Sequence, residues 1–186
     1  MPFTDLSKSN FLIKKIYEEP NPSIEGWMRP EELRWLFKQA CKYKTILEVG
    51  SWKGRSTHAL LSSGNSVISV DNFKGSLSEL GQAHKEVKVH DIFSEFILNL
   101  GHFPNLSVLR MDSLQASKLF EEGSVDMVFL DGDHEYSTFM EDLKAWIGVY
   151  RFLLCGHDLE EGGVKAVLKV LNLNYKKEVG SLWSIQ

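Results

Sequence analysis

Residues 46–57 read Ile-Leu-Glu-Val-Gly-Ser-Trp-Lys-Gly-Arg-Ser-Thr. The apolar run at residues 45–49 predicts a strand that is buried on both faces. A turn with Gly50 and Gly54 follows, and residues 56–61 predict a helix whose free N–H groups face that turn. Because glycine lets the backbone come close to a ligand, the stretch predicts a strand, turn and helix that receive the polar end of a small molecule.

The next predicted strand, residues 67–70, ends in a second acid, Asp71. Asp71 lies about 20 residues after Gly50, which is the spacing at which nucleotide-binding α/β folds place a ribose-binding carboxylate. We therefore expect Glu48, near the end of the first strand, to share one crevice with Asp71 and the two glycines.

The side chains of the turn restrict which nucleoside cofactor can bind there. A dinucleotide turn that starts at Gly50 needs small residues at two positions, where this chain has Trp52 and Arg55. The bulky indole argues against NAD or FAD, and no Gly-Lys-Ser/Thr follows to form a phosphate-binding loop. S-adenosylmethionine (SAM) fits better, because it carries no phosphate. Its ammonium group suits Glu48, directly or through water, and its ribose diol suits Asp71. The alternative is an ordinary strand-to-helix turn in which the glycines serve packing alone.

The composition favours one domain that acts on small molecules. The chain has 186 residues, of which 43% are hydrophobic, and a net charge of −4. We predict an irregular N-terminal arm at residues 1–28, with one short helix at residues 11–17, and a SAM-binding domain at residues 29–186. Without a cluster of Lys and Arg, binding to nucleic acid or to an anionic membrane is not expected. A small-molecule partner is favoured, and a homo-oligomer stays open.

The cysteines and most tryptophans are expected to be buried. Cys41 and Cys155 fall in a predicted helix and a predicted strand, which suits buried thiols in a reducing cytosol. No signal sequence or transmembrane stretch is evident, so a cytoplasmic location is predicted. The tryptophans expected to pack in the core or beneath helices are Trp27, Trp35, Trp146 and Trp183. Trp52 is expected to face the crevice.

Strands and helices alternate along the rest of the chain. Further strands are predicted at residues 106–111, 125–130 and near 152–155, and helices at residues 30–40, 91–100, 136–147 and 164–171. Residues 175–179 and 182–186 flank Gly180-Ser181 and predict a tight hairpin. The polar stretch at residues 72–85 is a candidate lid. The pattern predicts a doubly wound α/β fold with a mostly parallel, seven-stranded sheet that ends in an antiparallel hairpin.

Four segments in this order resemble the class I SAM-dependent methyltransferases, specifically the macrocin-type O-methyltransferases. They are Glu48-Val-Gly-Ser-Trp-Lys-Gly-Arg-Ser-Thr57, Val70-Asp-Asn-Phe-Lys-Gly75, Ser124-Val-Asp-Met-Val-Phe-Leu-Asp-Gly-Asp-His-Glu-Tyr136 and Gly156-His-Asp158. The resemblance runs from about residue 24 to the C-terminus and implies a Rossmann-like methyltransferase fold. The family usually has a Pro-Gly-Gly turn before strand five, which is shortened here to Gly148-Val-Tyr-Arg-Phe152.

The resemblance also implies where SAM would bind. Glu48, with the two glycines of the turn, would hold the methionine end, and Asp71 would hold the ribose. Asp112 with Ser113 would bind the adenine edge, and Asp131 would border the methyl group. The candidate cofactor residues are Glu48, Gly50, Ser51, Trp52, Gly54, Ser56, Asp71, Asn72, Asp112, Ser113, Asp131 and Gly132.

Methyl transfer to a hydroxyl needs a general base, or a divalent cation that lowers the pKa of that hydroxyl. The resemblance implies that Asp131 and Asp158, after strands four and five, bind Mg²⁺, with Asp133 or His157 as a further ligand. The candidate catalytic residues are Asp131, His134 and His157.

Structural roles are the alternative for these polar residues. Asp158 with Glu161 reads as a helix capping box, Asp133 as a turn acid and Asp112 as a helix cap. The two histidines, His134 and His157, read equally as hydrogen-bonded structural residues.

The leading prediction is a SAM-dependent O-methyltransferase that acts on a small molecule such as a sugar or polyol, with assistance from Mg²⁺. The alternatives are a non-catalytic SAM-binding domain with a regulatory or assembly role, and an NAD-dependent oxidoreductase, which Trp52 and Arg55 disfavour.

Overall fold

A computed structural model describes residues 23–75 and 86–186. The short helix predicted at residues 11–17 and most of the candidate lid lie outside these ranges. The strands are β1 (Thr45–Val49), β2 (Ser66–Val70), β3 (Leu106–Leu109), β4 (Val125–Leu130), β5 (Tyr150–Gly156), β6 (Lys176–Lys177) and β7 (Trp183–Ile185). The helices are α1 (Pro30–Ala40), α2 (Arg55–Leu61), α3 (Ile92–Leu100), α4 (Ser113–Ser117), α5 (Tyr136–Trp146) and α6 (Val164–Val170).

The strands form one seven-stranded sheet in the order β3-β2-β1-β4-β5-β7-β6. Strands β1 to β5 are parallel, whereas β7 is antiparallel to both β5 and β6. The predicted hairpin is present, because the Leu182 amide donates to the Val179 carbonyl and closes a turn around Gly180-Ser181. The predicted fold class is therefore confirmed.

Apolar side chains on both faces explain why the parallel strands are continuously hydrophobic. In β1, Ile46 packs into the core that lies under α1, α2 and α3, while Leu47 packs into the core under α5 and α6. Glu48 is fully buried on the same strand, between Ser69 of β2 and Phe129 of β4. Burying a charge at the centre of a sheet is costly unless polar partners surround it. This position is therefore where the sheet meets the candidate site.

Backbone hydrogen bonds continue past the ends of the parallel strands. The amides of Gly50, Asp71, Asp131 and His157 donate to the carbonyls of Val70, Leu109, Val49 and Leu130. The residue after each of β1, β2, β4 and β5 is thus held in register with its neighbour. The order of the strands reverses between β1 and β4, because β1 is followed in sequence by β2 on one side and β4 by β5 on the other. Open α/β sheets form a ligand crevice at such a switch point.

Two predictions of burial are wrong. Trp27 is 63% exposed, because it lies in the segment before α1 rather than under a helix, and Cys41 is exposed at the residue that ends α1. Trp146, Trp183 and Cys155 are fully buried as predicted. Within the described residues, no helix is long and apolar enough to cross a membrane.

We expect Gly50→Ala to destabilise the protein strongly. Gly50 has φ +84°, and a Cβ there would lie 2.2 Å from the carbonyl oxygen of Asp131, so strain and a backbone clash combine. The loss in unfolding free energy should be on the order of 3 kcal/mol, measured by chemical denaturation. Gly148→Ala is the control, because nothing lies within 4 Å of its Cβ position. Equal stability of the two variants would contradict the assigned packing.

Candidate functional site

Glu48 lies near the carboxyl end of β1, beside the switch point of the sheet, with its carboxylate held by hydroxyl groups. Its Oε2 accepts hydrogen bonds from Thr57 Oγ1 of α2 and, at 2.9 Å, from Ser51 Oγ of the turn. Ser51 Oγ is also 2.7 Å from Ser69 Oγ of β2. The other carboxylate oxygen, Oε1, is buried and has no hydrogen-bond partner among the described residues. An unsatisfied buried acceptor next to a glycine turn is suited to a donor from a ligand.

Burial governs the charge of Glu48. Complete burial raises the pKa of its carboxyl group to about 7, against the opposing effect of the nearby hydroxyl groups of Ser56, Thr57 and Ser51. The hydroxyls therefore offset only part of the desolvation cost. A positively charged group placed beside Oε1 would favour the ionised form and lower this pKa.

Asp71 holds the turn that follows β1. Its Oδ2 accepts hydrogen bonds from the amides of Ser51, at 2.8 Å, and Trp52, at 2.9 Å, and its Oδ1 accepts one from the Phe73 amide at 2.6 Å. Burial raises the pKa of Asp71, although these three bonds act to lower it. The structure thus gives Asp71 a structural role at the end of β2, and its ribose role stays a prediction. The sequence pattern did not predict this contact.

The glycines of the turn have packing reasons of their own. Gly50 touches the loop after β4, and a Cβ on Gly54 would lie 2.4 Å from Leu100 Cδ1 of α3. Between them Trp52 has φ +49°, a left-handed conformation that is unusual for a bulky residue. Packing therefore accounts for both glycines, and the Trp52 side chain packs, partly buried, against the core under α1, α2 and α3.

A second cluster lies where β4 and β5 end. Asp131, His157 and Asp158 each offer one ligand atom, and these atoms lie within 4.8 Å of one another. His157 Nδ1 is 3.0 Å from Asp158 Oδ1 and 3.5 Å from Asp131 Oδ1, while His134 Nδ1 is 3.3 Å from Asp158 Oδ2. The structure therefore brings together the residues that the sequence proposed for the metal and the base.

The two carboxylates determine the charge of His157. Burial acts to lower the pKa of His157, but Asp131 and Asp158 outweigh it and raise that pKa to about 11. Burial likewise acts to raise the pKa of Asp158, but the hydrogen bond from His157 leaves it below its ordinary value. His157 is consequently a protonated donor between two carboxylates, and this is a position that suits a cation.

Glu32 of α1 is a site residue that the sequence did not reveal. Its Oε1 lies 3.3 Å from His157 Nε2 and accepts a hydrogen bond from the Ser181 amide, and its Oε2 accepts one from the Arg29 amide. A Cβ on Gly180 would lie 2.1 Å from Glu32 Oε1. By position alone, Glu32 is an ordinary acid in the first turn of a helix, where it complements the helix dipole. Its burial, to 2% exposure, depends on the hairpin turn, which no local pattern connects to α1.

The other predicted residues occupy less central positions. Asp112 is exposed and caps α4 by accepting from the amides of Leu114 and Gln115, and Asp133 accepts from the Glu135 amide. These are the structural roles that the sequence left open. Asp158 instead has φ +54° and precedes a turn, so the capping box with Glu161 is not formed.

Three further candidates have identified contacts. Ser113 Oγ accepts from the buried Trp146 indole and hydrogen-bonds Asp142, whose pKa burial raises to about 6. Asn72 Oδ1 accepts a hydrogen bond from the Lys74 amide. Gly132 lies beside Asp131 with ordinary contacts to Val49 and Asp142.

The sheet order and the crevice at its switch point define a class I methyltransferase. A family model described as a methyltransferase domain matches residues 47–152, which is more than half of the chain. The chain belongs to this methyltransferase domain family. The match does not distinguish the macrocin-type subgroup, which stays a prediction.

Solved structures show the same fold. A methyltransferase from Podospora anserina bound to SAH is 13% identical with a TM-score of 0.61, and the match covers 100% of this chain and 97% of that one. An O-methyltransferase from Bacillus cereus in complex with SAH is 17% identical with a TM-score of 0.53, covering 100% and 92%. A SAM-dependent O-methyltransferase from Thermotoga maritima is 12% identical with a TM-score of 0.59, covering 93% and 69%. A search of curated protein sequences gives no significant match.

Glu48→Gln should remove a pH dependence of stability. The pKa of Glu48 is raised from its ordinary value of 4.5 to about 7, so the folded state holds a proton that the unfolded state releases between those values. Stability is therefore lost as the pH rises through this window. The variant should gain stability relative to the native protein by on the order of 3 kcal/mol between pH 4.5 and pH 8. Urea denaturation across this range measures the difference, and a constant difference would contradict the raised pKa.

Proposed function

We propose that this methyltransferase uses SAM to methylate a hydroxyl group of a small molecule, such as a sugar or polyol, with assistance from Mg²⁺. The observation that carries the proposal is the buried, unpartnered Oε1 of Glu48 at the switch point of the sheet. A ligand with an ammonium group satisfies that acceptor and neutralises its charge. The SAH in the neighbouring structures from Podospora anserina and Bacillus cereus supports the choice of cofactor.

The residues of the crevice fit the parts of SAM. Glu48 would accept from the amino group of the methionine end, and Asp71 would accept from the ribose hydroxyls at the neighbouring strand end. Three amides occupy three of the roughly four acceptor sites of the Asp71 carboxylate, so one site, on Oδ1, is left for a ribose hydroxyl. The adenine role proposed for Asp112 and Ser113 rests on the family resemblance, since both side chains have structural partners here.

The cluster of Asp131, His157 and Asp158 fits a divalent cation. Two convergent carboxylates suit Mg²⁺, and the same carboxylates raise the pKa of His157, as they would stabilise any neighbouring positive charge. Asp131 and Asp158 would hold the metal, which would lower the pKa of the acceptor hydroxyl. A protonated His157 donates hydrogen bonds and orients the two carboxylates, which leaves Asp131 and His134 as candidate bases.

The chain contributes alignment more than covalent chemistry. Methyl transfer from a sulfonium is an in-line displacement, so the rate depends on how the acceptor oxygen is positioned. The loops after β4 and β5 are fastened together, because the Gly163 amide donates to the His134 carbonyl at 2.7 Å. This contact fixes the candidate base relative to Asp158. The division into an arm at residues 1–28 and a domain at residues 29–186, and the cytoplasmic location, stay predictions.

Asp71→Ala should weaken SAH binding by about 1.5 to 3 kcal/mol through loss of charged hydrogen bonds. Since Asp71 also holds the Ser51 and Trp52 amides, binding of an SAH analogue without the ribose hydroxyls should be measured in parallel. The ribose role predicts a smaller loss for the analogue in isothermal titration calorimetry. The same loss for both ligands would reject that role. Glu160→Gln, at an exposed ion pair, is the control.

Chelation of divalent cations should abolish turnover, and added Mg²⁺ should restore it. Because Asp158 is a proposed ligand, Asp158→Asn should lower the rate by on the order of 100-fold and weaken the Mg²⁺ dependence. SAH affinity should stay unchanged in the same variant, which separates the metal from the cofactor crevice. Full activity in excess chelator would exclude the metal, and calorimetry showing no SAH binding would overturn the proposed cofactor.

A further inference from the structure

Residues 24–28, which precede α1, are hydrogen-bonded to the turn that follows β1 and to the first residue of α2. Arg55, the first residue of α2, donates through Nε to the Met28 carbonyl at 2.8 Å and through Nη1 to the Ile24 carbonyl at 2.7 Å. Lys53 of the turn donates to Glu25 Oε2 at 2.8 Å. A Cβ on Gly26 would lie 2.9 Å from Arg55 Cδ, so only glycine fits closely there. Residues 24–28 are therefore a fixed wall beside the cofactor turn.

Two tryptophans meet at this wall. The rings of Trp27 and Trp52 have centroids 5.8 Å apart and are tilted by 48°. Trp27 is 63% exposed, which is unusual for so large an apolar side chain. Trp52, beside it, has a left-handed backbone conformation. Together with Glu25 and Gly26, they line a cavity of about 100 Å³. Exposed aromatic faces, a strained turn residue and a cavity thus coincide next to the proposed SAM crevice.

The charges around this cavity favour a cation. Lys53 is nearly buried and contacts Glu25, Glu86 and Glu95 at 2.8, 2.8 and 3.3 Å. Three carboxylates around one ammonium give this cluster a net negative charge, and Glu25 is the one of the three that lines the cavity. The Glu25 side chain is 65% exposed and borders the cavity. A positive ligand group would therefore meet a carboxylate and two electron-rich ring faces.

We propose that Trp27, Trp52 and Glu25 form a subsite for an alkylammonium group on the methyl acceptor, which assigns Trp52 to the acceptor rather than to the cofactor as predicted from the sequence. The proposal rests on the proposed function, since it places the group next to the cofactor turn and makes the acceptor a hydroxylated, positively charged small molecule. The rings contact the alkyl groups and the charge, and Glu25 balances that charge. A neutral group of the same shape gains only the apolar contact.

The test compares tetramethylammonium with tert-butanol, a neutral molecule of similar shape, by ligand-detected NMR titration of the full chain. Tetramethylammonium should bind roughly twofold to fivefold more tightly, in the range of cation–π contacts at exposed sites. Trp27→Ala should remove this preference, whereas Trp27→Phe should keep part of it. Because Trp27 is largely exposed, the core does not depend on it, and thermal melting verifies that the variants fold.

Matched controls separate this subsite from the rest of the surface. Phe152→Ala removes another exposed aromatic ring and should leave tetramethylammonium binding unchanged. Glu25→Gln should weaken it, whereas Glu121→Gln, at an exposed acid elsewhere, should not. Equal affinity for the two probes, or full affinity in Trp27→Ala, would overturn the subsite.

Titrations repeated with saturating SAH distinguish the acceptor subsite from the cofactor crevice. The cation should bind equally well in both conditions, and competition by SAH would overturn the assignment to the acceptor. If the cation binds as expected while SAH does not bind at all, the proposed function fails and the cation subsite stands.

Discussion

The burial of the Glu48 carboxylate is the constraint around which the crevice is built. A carboxylate at the centre of a parallel sheet has no access to water, so its burial is unfavourable unless nearby elements supply hydrogen-bond donors. β1 supplies the acid, the turn supplies Ser51, and α2 supplies Thr57. Because only one oxygen is satisfied in this way, the fold leaves an acceptor for a ligand in the least solvated part of the crevice.

A different balance of charge holds the second half of the site. His157 lies between Asp131 and Asp158 on one side and Glu32 on the other. α1 therefore meets the carboxyl ends of β4 and β5 through the His157 imidazole, and Glu32 in turn accepts a hydrogen bond from the Ser181 amide of the C-terminal hairpin. This arrangement connects the beginning of the domain to its end, so the position of the proposed metal ligands depends on parts of the chain that are far apart in sequence.

The sequence predicted the features that depend on local pattern. The apolar run of β1, the position of Asp71 and the hairpin turn all follow from periodicity and turn chemistry. The buried role of Glu32 was not predictable, because its contact with the Ser181 amide joins residues 149 positions apart. The predicted burial of Trp27 is wrong for a related reason. Its exposure results from Arg55 fastening residues 24–28 onto the turn, and side-chain contacts with backbone carbonyls leave no periodic signal.

Structural and functional roles coincide in the residues of the turn. Gly50 is required by the approach of the β4 loop, and Asp71 is required to hold two amides, whatever ligand binds. Packing therefore explains the shape of the turn, but it does not explain the unpartnered oxygen of Glu48. A buried acceptor without a donor destabilises the protein alone. A ligand that donates to Oε1 would remove this penalty, which is why the Glu48 carboxylate, rather than the glycines, is the stronger argument for a cofactor at this edge of the sheet.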